Sequence, residues 1–331
     1  MKYFLKNIKS YSIKDILNKI LEKLNGLFFR LILIGFVITP ITKLLILVDK
    51  IIRKIFKNNY FLPLIHDRIE AKQYYSTKIL NKKITFFCPS ARSLKRFESL
   101  LTKEPETIKW MDNFKTYNSK RIVFWDIGAN IGLYSIYAAI KFQDQDIKIF
   151  SFEPSPSNTR SLSRNISINN LYDKINIFPL ALSEKENIIS FFNETIFSEG
   201  GSFSSFNNNI DHIGNFIETS NIQNKFNIFG TTIDKLISDK IIEIPNYIKI
   251  DVDGIEHLIV RGAQNLLKND ELQGLLIEMN PDYQEQYEFI NKIMEDNNFK
   301  KTTSTNARLT KEKWSKRFTN ENINVIFKKN I

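Results

Sequence analysis

Val123-Phe124-Trp125-Asp126-Ile127-Gly128-Ala129-Asn130-Ile131-Gly132 is the stretch that decides how this chain folds. An apolar run from Ile122 to Trp125 ends in an acid, a loop with two glycines follows, and a second apolar stretch opens at Leu133. That order spells strand, tight turn and helix. It exposes helix-end amides beside a carboxylate at the C-terminal end of a sheet strand, where open α/β sheets bind ligands. The glycines permit the turn and let a ligand approach the backbone. A dinucleotide fingerprint has the spacing G-x-G-x-x-G. Here it is Gly128-x-x-x-Gly132, with Asp126 two residues ahead of the first glycine. A carboxylate at that point repels a pyrophosphate and suits an ammonium, which favours S-adenosylmethionine over NAD.

Outward from this motif, apolar runs and amphipathic stretches alternate. Strands are expected near 121–126, 147–152, 175–179, 247–251, 273–279 and 322–328. Helices are expected near 132–142, 155–169, 232–239, 256–268 and 283–297. Such alternation predicts a doubly wound, mostly parallel α/β sheet with helices on both faces. A hairpin-like insertion, 188–230, interrupts it with Gly200-Gly201 and an asparagine run at 207–209. Residues 61–120 form a lead-in to this domain of 121–331. Within the lead-in, Ile84 to Cys88 is a strand candidate, and Lys103-Glu104-Pro105-Glu106-Thr107 opens a helix running through Trp110 and Phe114. Early proline and first-turn acids are good helix-start chemistry.

The strand ends carry the chemistry. Glu153 follows Gly132 by 21 residues, where an acid can accept hydrogen bonds from ribose hydroxyls. Ala181 belongs to a small-residue edge against which an adenine can lie. The fourth strand ends Lys249-Ile250-Asp251-Val252-Asp253-Gly254-Ile255-Glu256, and the fifth adds Glu278 and Asn280 at the same rim. Helix initiation accounts for Asp253 or Glu256 but not for Asp251, which closes an apolar strand. Asp251 is the expected catalytic residue, as a general base or substrate-orienting acid, with His212 a substrate-side base on the insertion. Asp251, Glu278 and Asn280 also suit a Mg²⁺ ion in principle. A metal-free role for Asp251 is the preferred reading, because strand-end acids are common.

The sequence resembles the FkbM-type S-adenosylmethionine-dependent methyltransferases. The likeness rests on Glu104-Pro-Glu-Thr107, Asp126-Ile-Gly-Ala-Asn-Ile-Gly132, Phe152-Glu153-Pro154, Ala181-Leu182-Ser183, Thr231-Thr232-Ile233-Asp234, Ile248-Lys-Ile-Asp251, and Gly254 with Glu256. It departs at Asp253, where the family pattern usually has glutamate. The resemblance implies a seven-stranded class I methyltransferase sheet, Rossmann-like, and commonly O-methylation of a hydroxyl on a sugar, glycan or secondary metabolite. The cofactor-binding set is then Asp126, Gly128, Asn130, Gly132, Glu153 and Ala181, with Asp126 facing the methionine ammonium directly or through water. Two rivals stand beside it. A nicotinamide oxidoreductase is disfavoured by the glycine spacing and Asp126, and a catalytically inactive, membrane-associated methyltransferase-fold binding protein by the cofactor-side residues.

Composition narrows the partners. The formal charge of +11 is uneven: residues 1–60 hold twelve Lys and Arg against three acids, a net of +9, leaving +2 for the rest. Those basic residues flank apolar sequence, which points to an anionic membrane surface contacted through residues 1–57 and not to nucleic acid. Residues 3–24 show helical spacing with interleaved lysines. Residues 27–48 are apolar but broken by Arg30, Pro40 and Lys43. The uncharged run from Leu31 to Thr42 is shorter than the ~18–20 residues a spanning helix needs. The arm, 1–60, either packs on the protein or on a second copy, lies peripherally on a membrane face, or spans it with Arg30 and Lys43 snorkelling; a cytoplasmic location, peripheral at the inner membrane, is expected. Cys88 is the only cysteine, so no disulfide framework exists, and three scattered histidines make zinc chemistry an unsuited reading.

Overall fold

The computed structural model describes residues 33–56, 60–116, 121–202, 204–207, 210, 214–305 and 322–330. The helix expected over residues 3–24 and the base candidate His212 lie outside the described residues. The chain divides into two compact units, Met1–Lys72 and Gln73–Ile331. The division falls inside the segment read as a lead-in.

In the first unit a π-helical turn, Leu33–Ile38, runs into helix α1 (Thr39–Ile55). Pro40 stands in its first turn, where the missing N–H has no partner to lose. Helix α2 (Phe61–Glu70) follows, tied back by buried Asp49, which accepts from Arg53 Nε at 2.6 Å and Leu62 N at 3.3 Å. Ile41, Leu44, Leu47, Ile51 and Ile55 are exposed and share one stripe of α1. Among the described residues no helix is long and apolar enough to cross a membrane.

The second unit opens with a hairpin of β1 (Tyr74–Ile79) and β2 (Lys82–Phe87), then α3 (Ala91–Glu98) and α4 (Pro105–Met111). The main sheet uses β3 (Ile122–Ile127), β4 (Ile147–Phe152), β5 (Ile175–Phe178), β10 (Tyr247–Ile250), β11 (Gly274–Met279), β12 (Phe299–Thr305) and β13 (Ile323–Lys329). Their order is β12-β13-β11-β10-β3-β4-β5, and β13 alone runs against its neighbours. Helices α5 (Leu133–Lys141), α6 (Pro156–Ile168), α7 (Ile233–Ser238), α8 (Glu256–Arg261) and α9 (Gln284–Asp296) complete the layers. The expected seven-stranded, mostly parallel α/β sheet is present.

Period-two alternation along β3 builds two cores at once. Val123, Trp125 and Ile127 enter one apolar cluster, Ile122 and Phe124 the other. Trp125 is fully buried, and its indole Nε1 donates to Glu243 O at 3.2 Å. Burying a large apolar side chain of this kind is worth about 1.5–3 kcal/mol.

The insertion is more than a hairpin. Strands β6 (Ala181–Leu182), β7 (Ile188–Glu194), β8 (Ser204–Phe206) and β9 (Asn224–Thr231) form a second sheet in the order β6-β9-β7-β8. It joins the first cluster through Phe192 and Phe206. One expected helix is shorter than its apolar pattern: α8 stops at Arg261, and a 3₁₀ turn resumes at Leu266–Lys268. The break is at Gly262, where a Cβ would stand 2.2 Å from Ser183 O.

Candidate functional site

At the C-terminal ends of β3, β4 and β10 lies a cleft of about 590 Å³ of empty space, its mouth included. Gly128 and Asn130 contribute its floor, Glu153 one wall, Leu180 to Leu182 another, and Asp251 to Asp253 the far end. Phe152, Phe192, Phe206, Ile255 and Ile259 add apolar surface, while Gly201, Ser202 and Ser204 bring the insertion over it. Gly128 has φ +83°, and a Cβ there would stand 1.9 Å from Asp251 O, so only glycine lets the two strand ends approach this closely.

Glu153 is 5% exposed and wrapped by N–H donors. Oε2 accepts from Asn130 N at 2.7 Å; Oε1 accepts from Ser155 N at 2.9 Å and Asn158 Nδ2 at 3.4 Å. Burial pushes its carboxyl up to about 7, and these donors recover only part of the lost hydration. Asn130 holds φ +52°, a left-handed conformation that asparagine tolerates, and its Nδ2 donates to Gly201 O at 2.7 Å.

Asp251 lives under different rules. Lys249, 1% exposed, donates from Nζ to Asp251 Oδ2 at 2.7 Å. Burial alone would raise the Asp251 carboxyl, but the ammoniums of Lys249 and Lys103 hold it well below the usual carboxylate range. Lys249 also stands over the Tyr134 ring at 4.9 Å. Burial works against its charge, yet Asp251, Asp126 and Glu104 together raise its pKa above the ordinary lysine value. Glu104 closes the network: Lys103 Nζ donates to it at 2.5 Å and Tyr134 OH at 2.7 Å. Burial and the Asp251 charge oppose its ionisation, but the two lysines prevail and lower its pKa. Neighbouring Glu278 goes the other way: burial, then the Asp251 and Glu104 charges, push it well above the carboxylate range. Asn322 Nδ2 donates to its Oε2 at 2.9 Å.

The loop after Asp251 is shaped by Glu256. Its carboxylate accepts from Val252 N and Gly254 N and from Gln286 Nε2 at 2.7 Å, and burial pushes it up to about 7. Asp253 sits at φ +62° beside Gly254 at φ +119°.

Gly128, Asn130, Glu153, Ala181 and Asp251 come together on this cleft. Gly132 stands behind it as the residue before α5, at φ +87°, where a Cβ would press on Leu162. Asp126, expected to face a ligand ammonium directly or through water, is not among the residues lining the cleft. It shares the face of Ile122 and Phe124, is 1% exposed, and accepts from Ser135 Oγ at 2.5 Å. Its Oδ1 has no hydrogen-bond partner among the described residues, and burial raises its pKa. Its charge acts from beneath the sheet edge, through Lys249 across the strand pair. Asn280, expected at the rim, is occupied with Asn322 Oδ1 and Asp282 N. Among the described residues no group of three or more His, Cys, Asp or Glu is arranged to hold a metal ion. Sequence reasoning missed Lys249, Lys103, Tyr134 and Asn158; only Lys249, a lone cation inside an apolar strand, carried a signal.

Residues 126–301 match the family model described as the methyltransferase FkbM domain. Among solved structures, the chain is similar to a methyltransferase FkbM from Methylobacillus flagellatus KT, with 14% identity, a TM-score of 0.40, and coverage of 81% of this chain and 59% of that one. It is also similar to the precorrin-6y C5,15-methyltransferase of Geobacter metallireducens GS-15, at 12% identity and a TM-score of 0.39, over 70% and 92% of the two chains. A third is M. capricolum TrmK in complex with S-adenosyl-homocysteine, at 10% identity and a TM-score of 0.36, over 68% of each. The chain thus spans less than two thirds of the first of these structures. No curated protein matches the sequence.

Proposed function

The chain belongs to the FkbM methyltransferase family, with S-adenosylmethionine as its cofactor, and on that premise we propose that it methylates a hydroxyl of a sugar, glycan or secondary metabolite. The observation that carries the reading is the cleft itself, with one acid on either side of Gly128 and an apolar slot beyond. The residues fit the cofactor's parts. Glu153 would present a carboxylate to ribose hydroxyls, Leu180 to Leu182 with Phe192 and Phe206 would offer apolar cover for adenine, and Gly128 would line the path of the methionine chain. When bound, the cofactor supplies an electrophilic methyl group on a sulfonium.

Asp251 then works on the acceptor. As an anion fixed by Lys249, it would accept a hydrogen bond from the acceptor hydroxyl and so orient that oxygen. Even a weakly basic carboxylate would suffice to take the hydroxyl proton, the cofactor supplying the methyl group when bound. No metal is needed for that step. The intact Lys249–Asp251 pair and the poised Glu153 support turnover over a binding-only fold. The arm is a separate element of the proposal: the exposed stripe of α1, with Lys43, Lys50, Arg53 and Lys54 on the same helix, supports peripheral attachment to an anionic, cytoplasm-facing membrane surface.

The test uses S-adenosylhomocysteine binding by calorimetry and transfer of labelled methyl groups to a panel of glycosides. Wild-type protein binds S-adenosylhomocysteine and not NAD. Asp251→Asn keeps that affinity while transfer falls roughly 10²–10⁴-fold, in the range of lost acid–base catalysis. Tight NAD binding, or undiminished transfer by Asp251→Asn, sinks the proposal.

A further inference from the structure

Asn158 is buried in α6, 4% exposed, and does two things at once. Its Nδ2 donates to Glu153 Oε1 at 3.4 Å and to Gly201 O at 3.2 Å, while its Oδ1 accepts from Gly200 N at 2.8 Å. It therefore ties the wall acid of the cleft to the insertion segment above it. The same segment is stapled from other sides. Ser90 Oγ donates to Glu199 O at 2.5 Å, Arg96 Nε to Gly200 O at 2.7 Å, Arg160 to Glu199 Oε1 at 2.9 Å, and Asn130 Nδ2 to Gly201 O. Residues 199–202 form a strap, and Gly201 and Ser202 face the cleft.

Two features make the strap an all-or-none element. Its bonds come from α3, α6 and the loop after β3, so it cannot lift from one without straining the others. Gly200 holds φ +75°, and a Cβ there would stand 2.7 Å from Ser93 N, so the seated position requires glycine.

We propose that Asn158 is a positioning residue that locks Glu153 and the 199–202 strap into one arrangement, so that the seated strap holds the nucleoside end of the cofactor and sets how fast it leaves. This rests on the cofactor reading above. The groups facing Glu153 are the N–H donors of Asn130 and Ser155, the Asn158 amide and the Arg96 guanidinium. Asn130 also reaches both, its backbone N donating to Glu153 Oε2 and its Nδ2 to Gly201 O; of these groups Asn158 alone joins the acid and the strap through a single side-chain amide.

The experiment follows S-adenosylhomocysteine dissociation from the full chain by stopped flow, with affinity by calorimetry from pH 5.5 to 8.5. Gly200→Ala disturbs the strap without touching Glu153; Asn158→Leu removes both ties, and Asn158→Ser replaces it where the leucine variant does not fold. Both kinds of variant are expected to release S-adenosylhomocysteine about tenfold faster with little change in association rate. Only the Asn158 variants are also expected to move the pH midpoint of binding to higher pH than in the wild type, because an amide that favours the ionised Glu153 carboxylate is gone. Unchanged dissociation in folded Gly200→Ala, or an unmoved midpoint in the Asn158 variants, overturns the inference. Wild-type protein that binds no S-adenosylhomocysteine breaks the cofactor reading instead, and is told apart by that alone.

Discussion

Glu153 and Asp251 stand at the same rim on either side of Gly128, the first buried and the second partly exposed, and they are held by opposite means. Neutral N–H groups surround Glu153, and its carboxyl is pushed up to about 7. An ammonium 2.7 Å away, with Lys103 behind it, holds the Asp251 carboxyl well below the usual carboxylate range. Dipoles compensate burial only partly, whereas a full opposite charge overcompensates it. Glu153 is thereby tunable and Asp251 fixed, and on the proposed function the first serves the cofactor and the second the acceptor.

The most damaging way to break this contrast is to remove the ammonium. Lys249→Met leaves buried Asp126 without its counter-charge and Asp251 with Lys103 in place of its nearest ammonium, and loss of one partner of a buried pair typically costs about 3–5 kcal/mol. Urea denaturation at pH 7 measures it. The double variant Lys249→Met/Asp251→Asn is expected to regain part of that stability. Equal stability of the single and double variants would mean the pair is not coupled.

A smaller effect sharpens the other half. Glu153 has a folded pKa raised from 4.5 to about 7, so its favourable contribution is complete below pH 4.5 and is lost as pH rises through 7. The difference amounts to about 3 kcal/mol across that window. Asp251, with its pKa lowered, contributes in the opposite sense, above pH 3.8, and loses that contribution only in stronger acid. Glu153→Gln should therefore flatten the stability profile between pH 4.5 and 7, while Glu256, also near 7, keeps its own share of the slope. A slope unchanged by Glu153→Gln would contradict the assignment.

The least effect on the rim is expected from the arm. A chain beginning at Asn59 should lose co-sedimentation with anionic vesicles and bind S-adenosylhomocysteine as before. Rising salt should weaken the full-length attachment by screening its lysines. If truncation alters only self-association, the packing-arm alternative replaces membrane contact.

The central sheet was legible because its strands are apolar runs with turn residues at each end, and six of them lie within a residue or two of their expected bounds. Strand β12 was not, because Phe299-Lys300-Lys301-Thr302 shows no apolar alternation; it is an edge strand defined by pairing with β13. Strand β1 likewise exists through its register with β2. Glu153 and Asp251 were legible as acids closing apolar strands. The placement of Asp126 followed from the same alternation that buries Phe124, but the glycine motif drew attention to the loop instead. Lys103, Glu104 and Tyr134 meet Lys249 and Asp251 only in three dimensions, and no spacing along the chain announces that.

Glu104 and Lys103 come from before the first strand of the main sheet, and the family match begins only at residue 126. The boundary of the fold and the boundary of the chemistry are therefore not the same line. A fragment trimmed to the sheet would keep every strand while leaving Lys249 one carboxylate short and Asp251 one ammonium short. Such a fragment would still present the cleft, but with the charges around Asp251 rebalanced, so transplanting the domain without residues 96–104 would carry over its shape without its electrostatics.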